Sequence, residues 1–464
     1  TNVDHLPPTA SFRLVRDGEI ILGNPVGTPE FRAATNRDLI SSFIRPLPTL
    51  DALQVNPIAA FNIIKFCVNA RANYLVRVQD QDGLNCLQVF DEAVDKAIFQ
   101  IAQHNPTNDN NTYRKSLSAT LRSLPLVHGG LGVARYSWVP GQVGVIRSRL
   151  LLAEFITEHF SECYSRVVTS LPGIRIGVEN CPLPIDFGPA IPRAEMDDLA
   201  VINGEMVTGE IAPGQYSTMA STIIRFLAEY LNSPARAAWF RSSQFEGSGR
   251  WLTPPVAVYH DSRYTLNPNE YRVAIRQRLL LAPFEDNSAA THPLSCACGT
   301  ALNDETCPFH FLDCIHNHAY NQHRHSACRE VVDSFLKKKL KDRSIQTSLS
   351  PRLHSPDGTL LDLNADLAVN LLPNVSQVLD FVVSNPAAAT HTNPPYLSHE
   401  NDDAANTYHE SDKLRHYGHT LEVQAGQLIP FAVEATGRMG PRAINWIEET
   451  IPEEDRMIGR PAKR

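Results

Sequence analysis

The stretch "LNADLAVNLLPNVSQVLDFVVSNP", residues 363–386, decides which fold the last third of the chain adopts. Two apolar runs of strand length flank a Pro-Asn pair, which is typical of a turn. The first run contains Asp366 and the second contains Asp380. A carboxylate in an apolar strand loses hydration, so its burial requires a compensating partner. The pattern predicts a β-hairpin that carries two carboxylates on one face.

The segments around this hairpin predict a small α/β unit. Helical spacing precedes it, and a polar insertion rich in Pro and Asn follows it at 386–405. The further predicted elements are a helix at 321–341, a weak strand at 345–350, a helix at 407–424, a strand at 428–435 and a helix from 441. We therefore expect strands enclosed by helices in this region.

The two aspartates indicate a cation site. On adjacent antiparallel strands, Asp366 and Asp380 repel each other unless a hard cation such as Mg²⁺ lies between them. Lys413 and Tyr417 share one face of the next helix, and a lysine there could stabilise charge that develops on a phosphate. Taken singly, Asp366 could be an edge-strand residue and Lys413 a surface lysine. Together, in this order, they favour a nuclease centre that uses Mg²⁺ or Mn²⁺.

A second constellation precedes the α/β unit. The segment "CACGTALNDETCPFHFLDCIHNH", residues 296–318, crowds thiols and imidazoles, which are the ligands zinc prefers. The favoured set of four is Cys296, Cys298, His310 and Cys314, of which the last two lie one helical turn apart. Cys307 or His316 could replace one of these ligands. A surface loop without metal is the alternative interpretation.

The rest of the chain has mainly helical patterns. "GEIILGNPVGT" at 18–28 has β character broken by Gly and Pro, and "LPLVHGGLGV" at 124–133 is a turn punctuated by Gly. Residues 171–215 resemble a connector in composition. Helices are predicted at 57–78, 89–103, 143–169, 217–232 and 267–281.

Composition limits the class of protein. The 464 residues are 43% apolar and 20% charged, enough for two to four globular domains. A net charge of −8 argues against nucleic-acid binding by the whole surface but not by a local basic track. The nine cysteines are too few for a secreted disulfide scaffold of this length. Without an apolar run of about 18 residues or a signal pattern, the chain is expected to be soluble, intracellular and not bound to membranes.

The order of these motifs resembles the restriction-like endonuclease of site-specific non-LTR retrotransposons, a branch of the PD-(D/E)xK nuclease superfamily. In that family a Cys-Cys-His-Cys knuckle precedes an Arg-His dipeptide at a helix start. An aspartate strand, a second acidic strand and a helical Lys-x-x-x-Tyr follow. The matching residues are Cys296, Cys298, His310, Cys314, Arg324, His325, Asp366, Asp380, Lys413 and Tyr417.

Two positions depart from the family pattern. Ala365 stands where the family usually has proline, and Val382 occupies the lysine position of the superfamily signature. In the retrotransposon branch the lysine is carried by the following helix, where this sequence has Lys413. The insertion after Asp380 lengthens that interval.

The beginning of the chain resembles a reverse transcriptase. Residues 18–28 are similar to the primer grip that ends the palm, and the helices that follow are similar to the thumb. "EMDDLAV" at 195–201 imitates the polymerase aspartate motif, but it comes after the thumb, in the wrong order. The chain, which begins at Thr1, is therefore expected to be the C-terminal part of a longer polyprotein without a complete polymerase site.

The resemblance implies both a domain plan and a function. The enzyme would nick target DNA so that the new 3′-hydroxyl primes reverse transcription of the element RNA in the nucleus, as part of a larger polyprotein. Asp366 and Asp380 would hold Mg²⁺, and Lys413 would stabilise the charged transition state. Tyr417 and Arg415 would orient the helix or contact DNA. The implied segments are the palm end at 1–50, the thumb at 51–170, a connector at 171–290, the zinc knuckle at 291–320 and the endonuclease at 321–464.

The same resemblance assigns nucleic-acid binding to the knuckle and to the Arg-His dipeptide. Arg324 and His325 would grip nucleic acid beside the catalytic centre. Mobile elements decay, so the alternative function is a nucleic-acid-binding fragment that has lost catalysis. Ala365 would be an early sign of such decay, whereas Asp366, Asp380 and Lys413 argue for an intact site.

Overall fold

A computed structural model of the protein describes two compact units, which we treat separately. The first comprises Thr1–Ala119 and Val133–Met219, and the second comprises Thr120–Gly132 and Ala220–Arg464. The described residues are 17–21, 23–50, 56–78, 86–103, 112–136, 231, 233–254, 266–283, 295–300, 302, 309–339, 346–354, 359–372, 375–418 and 428–451.

Several predictions lie outside the described residues. These are the helix at 143–169, the connector at 171–215, the acidic segment at 195–201 and Cys307. The helix predicted at 217–232 lies almost wholly outside them as well. The five-segment domain plan remains a prediction.

The first unit begins with a hairpin followed by helices. Strands β1 and β2 pair antiparallel, with Gly18 opposite Gly27, and Gly23 in the turn has a left-handed φ of 79°. The helix predicted from 57 is confirmed, with a π-helical segment, Ile63–Val68, in its middle. The bounds are β1 Gly18–Ile21, β2 Asn24–Gly27, α1 Pro29–Ile44, α2 Pro57–Asn62, α3 Asn69–Val78 and α4 Leu87–Ile101.

Helix starts in this unit follow local sequence signals. Thr28 caps α1 by accepting a hydrogen bond from the Phe31 amide, and Asn56 caps α2 in the same way from Ala59. Pro57 occupies the first turn of α2, where a missing N–H costs nothing. Asn56 and Pro57 explain why the helix predicted from 57 begins there, whereas α1 was not predicted from the sequence.

The second unit contains a glycine turn and short helices. Helix α5 (Thr112–Ser123) ends in this unit, which begins at Thr120, and a 3₁₀ turn at Leu126–His128 then leads into Gly129, whose φ of 83° is left-handed. Arg278, buried at the end of a helix, donates hydrogen bonds to Gly130 O at 2.8 Å and to Ser248 Oγ at 2.9 Å. The further helices here are α6 Pro234–Ser242 and α7 Pro268–Arg278.

The predicted elements of the α/β part occur in the predicted order, and two short strands and a short helix, which were not predicted, lie between them. A four-stranded sheet has the order β3-β6-β7-β8, and only the β7–β8 pair is parallel. A separate two-stranded sheet is made by β4 and β5. The bounds are α8 His318–Lys339, β3 Gln346–Leu349, β4 Arg352–His354, β5 Leu360–Asn364, β6 Leu367–Leu372, β7 Val375–Ser384, α9 Ala389–Thr392, α10 Ala404–Gly418, β8 Leu428–Glu434 and α11 Pro441–Thr450. The predicted mixed fold, with a Cys/His cluster and an α/β region, is confirmed at this level.

Both faces of the four-stranded sheet are covered. One face, including Leu379 and Phe381 of β7, packs with Leu336 of α8 and Trp446 of α11. On the other face Val378 packs with Tyr417 of α10. Alternate residues of β7 therefore enter two separate clusters, as strand geometry requires.

The chain bends at Asp366. Ala365 packs with Tyr417, whereas Leu367, two residues later, packs in the cluster that contains Leu336. A regular strand would place residues 365 and 367 on the same face. Pairing nevertheless continues across the bend, since Ser350 N donates to Asp366 O at 3.0 Å and Ala365 N donates to Pro351 O at 3.1 Å. The side chains before and after the bend therefore lie on different faces of the sheet, while the backbone pairing keeps its register.

The sequence predicts that Ala327, Val331, Phe335, Leu336 and Leu340 form the inner face of α8. Leu336 is buried as predicted, but Val331 is 44% exposed, and Cys328 and Val332 pack against the core instead. The spacing 328, 332, 336 is equally helical, so periodicity alone does not choose between the two stripes. None of the described helices meets the length and hydropathy needed to cross a membrane.

The insertion at 386–405 is folded rather than an open loop. Ala387 and His391 are buried, and the Pro394–Pro395 bond is cis. The Tyr396 ring packs edge-on to Tyr408 of α10, with ring centroids 4.7 Å apart. The insertion thus packs onto the helix that carries Lys413.

Candidate functional site

The two aspartates of the hairpin lie side by side. Asp366 comes directly before β6, whose first residue, Leu367, pairs with Leu379 of β7. The Asp366 side chain is in hydrogen-bonding contact with that of Asp380, the residue after Leu379. The side chains are 17% and 5% exposed, respectively. The sequence prediction that the hairpin brings the two carboxylates together is confirmed.

Asp366 is held by two hydrogen bonds to one oxygen. Its Oδ2 accepts from the Phe381 amide at 2.7 Å and lies 3.0 Å from Nε2 of His325. His325 comes from α8, 41 residues earlier in the chain. A charged acceptor with two donors is stabilised in its ionised form.

Lys413 and Tyr417 of α10 contact Asp380. Lys413 Nζ lies 2.7 Å from Asp380 Oδ2 in an ion pair. Tyr417, one turn further along the same helix, is buried and also hydrogen-bonds to the Asp380 carboxylate. The two predicted helix residues therefore meet the second aspartate, whereas Val382, at the nominal lysine position, cannot supply a charge.

The two carboxylates differ in proton affinity. Burial raises the pKa of Asp380 to about 6, with Lys413 opposing and Asp366 adding to the rise. Burial also acts to raise the pKa of Asp366, but hydrogen bonds from His325, Asp380 and the Phe381 amide hold it below its ordinary value. Two facing carboxylates commonly divide in this way, because their charges repel. Near neutral pH both carboxylates are therefore mainly ionised, which is the form that can bind a cation.

His325 and Tyr417 respond to the same charges. The hydrogen bond to Asp366 raises the pKa of His325 against the opposing effect of burial. Burial, reinforced by the charge of Asp380, raises the pKa of Tyr417, which therefore stays protonated. The phenol can thus donate a hydrogen bond but does not act as a base at neutral pH.

The other residues assigned to nucleic-acid binding lie outside this pair. Arg324 donates to Leu312 O at 2.8 Å and lies over the Tyr320 ring, with its guanidinium carbon 5.4 Å from the centroid. Arg415 is 76% exposed and pairs with Asp412 on the same helix. Nucleic-acid binding by Arg324, His325 and Arg415 remains a prediction.

The cysteine–histidine cluster brings together the four predicted ligands. The donor atoms of Cys296, Cys298, His310 and Cys314 all lie within 4.8 Å of one another, so the group could hold a metal ion. Donors of a tetrahedral zinc site are about 3.5–3.8 Å apart, given a zinc–sulfur bond of about 2.3 Å. One pair, Cys298 Sγ and His310 Nε2, is 2.9 Å apart and would open by about 0.6 Å to bind zinc in this geometry.

Two tight turns shape this cluster. Cys296 N donates to Thr300 O at 2.7 Å, and Gly299 between them has a left-handed φ of 87°. Cys314 N donates to His310 O at 3.1 Å, which is the predicted helical turn. His316, the alternative ligand, is exposed and is not a member of the group, while Cys307 lies outside the described residues.

The cluster favours a thiolate at Cys298. Hydrogen bonding with Thr300 lowers the pKa of Cys298 to about 6, whereas burial raises that of Cys314. A thiolate is the form that binds metal. The residues present therefore have the chemistry and spacing of a metal knuckle.

Sequence reasoning missed one member of the carboxylate site. The Arg-His dipeptide predicted a nucleic-acid contact for His325, and no feature of the neighbouring sequence predicts that its ring contacts Asp366.

The chain matches no protein-family model and no curated protein sequence. The chemistry of the site is therefore argued from its own geometry.

Proposed function

We propose that the second unit is a metal-dependent DNA endonuclease of the PD-(D/E)xK type, part of a non-LTR retrotransposon reverse transcriptase. It nicks target DNA so that the 3′-hydroxyl primes copying of the element RNA. The observation that carries this proposal is the facing pair Asp366 and Asp380 with Lys413 Nζ 2.7 Å from the second carboxylate. Two acidic groups from the hairpin and an ammonium from α10 are the parts that phosphodiester cleavage requires.

The residues support a cation site. Asp366 and Asp380 would hold Mg²⁺ or Mn²⁺, which when bound activates water and polarises the phosphate. Lys413 neutralises part of the carboxylate charge at rest and is placed to stabilise negative charge on the scissile phosphate. Tyr417 keeps its proton and orients the Asp380 carboxylate.

The knuckle supports the same assignment through a structural role rather than a catalytic one. We propose that Cys296, Cys298, His310 and Cys314 hold Zn²⁺ and stabilise the segment that leads into α8. Because α8 carries His325, the knuckle anchors one wall of the carboxylate site. Target DNA, element RNA and the rest of the polyprotein are the proposed partners, and the nucleus is the proposed location.

A nicking assay tests the proposal. The full chain should convert supercoiled plasmid to open circles with Mg²⁺ or Mn²⁺. Asp380→Asn and Lys413→Ala should each lower the rate by about 100-fold or more, because each removes charge needed in the transition state. Asp412→Asn is the matched control, since this exposed carboxylate on α10 pairs only with Arg415 among the described contacts.

The alternative is a fragment that binds nucleic acid without cutting it. The observation that favours it is that both carboxylates already have protein partners, His325 and the Phe381 amide on Asp366 and Lys413 on Asp380. DNA binding without nicking by the parent protein would select this alternative. Equal nicking by the parent and Asp380→Asn would remove the proposed catalytic role.

A further inference from the structure

His325 is more buried than a surface contact with nucleic acid would require. Its Nε2 lies 3.0 Å from Asp366 Oδ2 and 3.1 Å from the Phe381 carbonyl oxygen. The side chain is only 32% exposed. A ring nitrogen shared between a carboxylate and a backbone oxygen is a donor to both, so the proton lies on Nε2.

These contacts involve both backbone polar groups of one residue, Phe381. The Phe381 amide donates to Asp366 Oδ2 at 2.7 Å, and the carbonyl of the same residue accepts from His325. The residue before it is Asp380, the second carboxylate. His325 therefore links Asp366 to the backbone that carries Asp380.

The position of Asp366 explains why such a link matters. Asp366 lies at the strand bend, just outside β6, whereas Asp380 lies within β7. The His325 ring and the Phe381 amide both contact Oδ2, so rotation of the carboxylate breaks both contacts. Without His325, Asp366 keeps only the Phe381 amide and its contact with Asp380, the carboxylate toward which it is oriented.

We propose that His325 is a positioning residue for divalent-cation binding: from α8 it fixes the orientation of Asp366 toward Asp380. The inference rests on the proposed nuclease function and adds a residue to its site. Partners that orient a metal-binding carboxylate commonly change metal affinity by about 10- to 100-fold. His325 thus acts through Asp366 rather than on DNA.

Binding of Mn²⁺ alone, followed by electron paramagnetic resonance on the zinc-loaded full chain, tests this role. His325→Leu should weaken Mn²⁺ binding by about 10-fold or more and shift the Mn²⁺ dependence of nicking equally. His325→Gln, whose amide nitrogen has similar reach, should restore most of the affinity. His323→Leu, an exposed histidine on the same helix, should bind Mn²⁺ like the parent.

Two further measurements, the folding of each variant and its affinity for DNA, serve as controls. If His325→Leu does not fold, His325→Asn, which is polar but too short to reach Oδ2, takes its place. DNA affinity measured without divalent cations should be unchanged in every variant. A loss of DNA affinity with unchanged Mn²⁺ binding would overturn the inference and return His325 to a nucleic-acid contact.

The outcomes separate this inference from the function on which it rests. Mn²⁺ binding that Asp380→Asn abolishes but His325→Leu leaves intact overturns the role of His325 alone. Mn²⁺ binding that neither Asp380→Asn nor His325→Leu affects overturns both. Weakened binding in His325→Leu with recovery in His325→Gln supports both.

Discussion

Ala365 stands where the nucleases that this sequence resembles usually have proline, and one backbone hydrogen bond fits alanine at this position. Its amide donates to the carbonyl of Pro351 at 3.1 Å, directly across the bent hairpin. Proline has no amide hydrogen and could not make this bond. The alanine is also 2% exposed and packs beside Tyr417. At this position alanine is therefore compatible with an intact site and is not by itself evidence of decay.

The substitution Ala365→Pro should consequently destabilise the second unit. It leaves the Pro351 carbonyl without its donor, a loss of about 1–3 kcal/mol in the free energy of unfolding. Urea denaturation followed by tryptophan fluorescence measures the change. Ala365→Gly, which keeps the amide, should cost only about 0.5–1 kcal/mol. A proline variant as stable as the parent would contradict this account.

At the scale of elements, helix α10 delivers the lysine that the strand lacks. Asp380 and Val382 are two residues apart on β7, and strand geometry places them on the same face. Lys413 reaches Asp380 from α10, which packs on that face with Tyr417. A helix can therefore supply the charge from outside the strand.

The knuckle is the second element whose role can be measured. Cys314→Ser should lower bound zinc from about one ion per chain toward zero, since a structural site needs all four ligands. Elemental analysis of the purified protein provides the measurement. Cys67→Ser alters an exposed cysteine in the first unit and should retain the metal. Unchanged zinc in Cys314→Ser would exclude the proposed ligand set.

At the scale of the whole second unit, a buried polar network joins segments far apart in sequence. Ser242, at the end of α6, donates a short hydrogen bond to Glu434, at the end of β8 and 3% exposed. Arg438 lies 3.5 Å from both Asp402 and Asp403 of the folded insertion. Burial raises the pKa of Glu434 to about 7, with Arg438 opposing the rise.

This network predicts a pH dependence of stability. Because the ordinary pKa of glutamate is about 4.5, the folded state keeps the Glu434 proton between pH 4.5 and 7 while the unfolded state releases it. Stability should therefore fall as pH rises through that window, by on the order of 3 kcal/mol for this group. Urea unfolding at several pH values should show that Glu434→Gln lacks this decrease.

The difference in stability between the parent and Glu434→Gln isolates the titration of Glu434. Asp380, whose pKa is also raised, contributes in both and cancels in the difference. Glu448→Gln, on α11, is the matched control and should follow the parent. Parallel curves for the parent and Glu434→Gln would show that Glu434 does not titrate in this window.

The sequence by itself determined the chemical groups of this protein and most elements of its α/β part. Apolar runs of strand length predicted the hairpin with Asp366 and Asp380, and the spacing of cysteines and histidines predicted the four knuckle ligands. These features are readable because burial and ligand spacing act over a few neighbouring residues. On α8, two helical stripes were equally possible, and Val331 of the predicted stripe is exposed.

Only the tertiary structure decided how those groups meet. The bend at Asp366, the contact of His325 with a carboxylate 41 residues away and the approach of Lys413 to Asp380 have no local signature. Each depends on how helices pack on two faces of a sheet, which is set by side-chain volume across the core. The chemical groups of the candidate site therefore follow from sequence, whereas their orientation follows from packing.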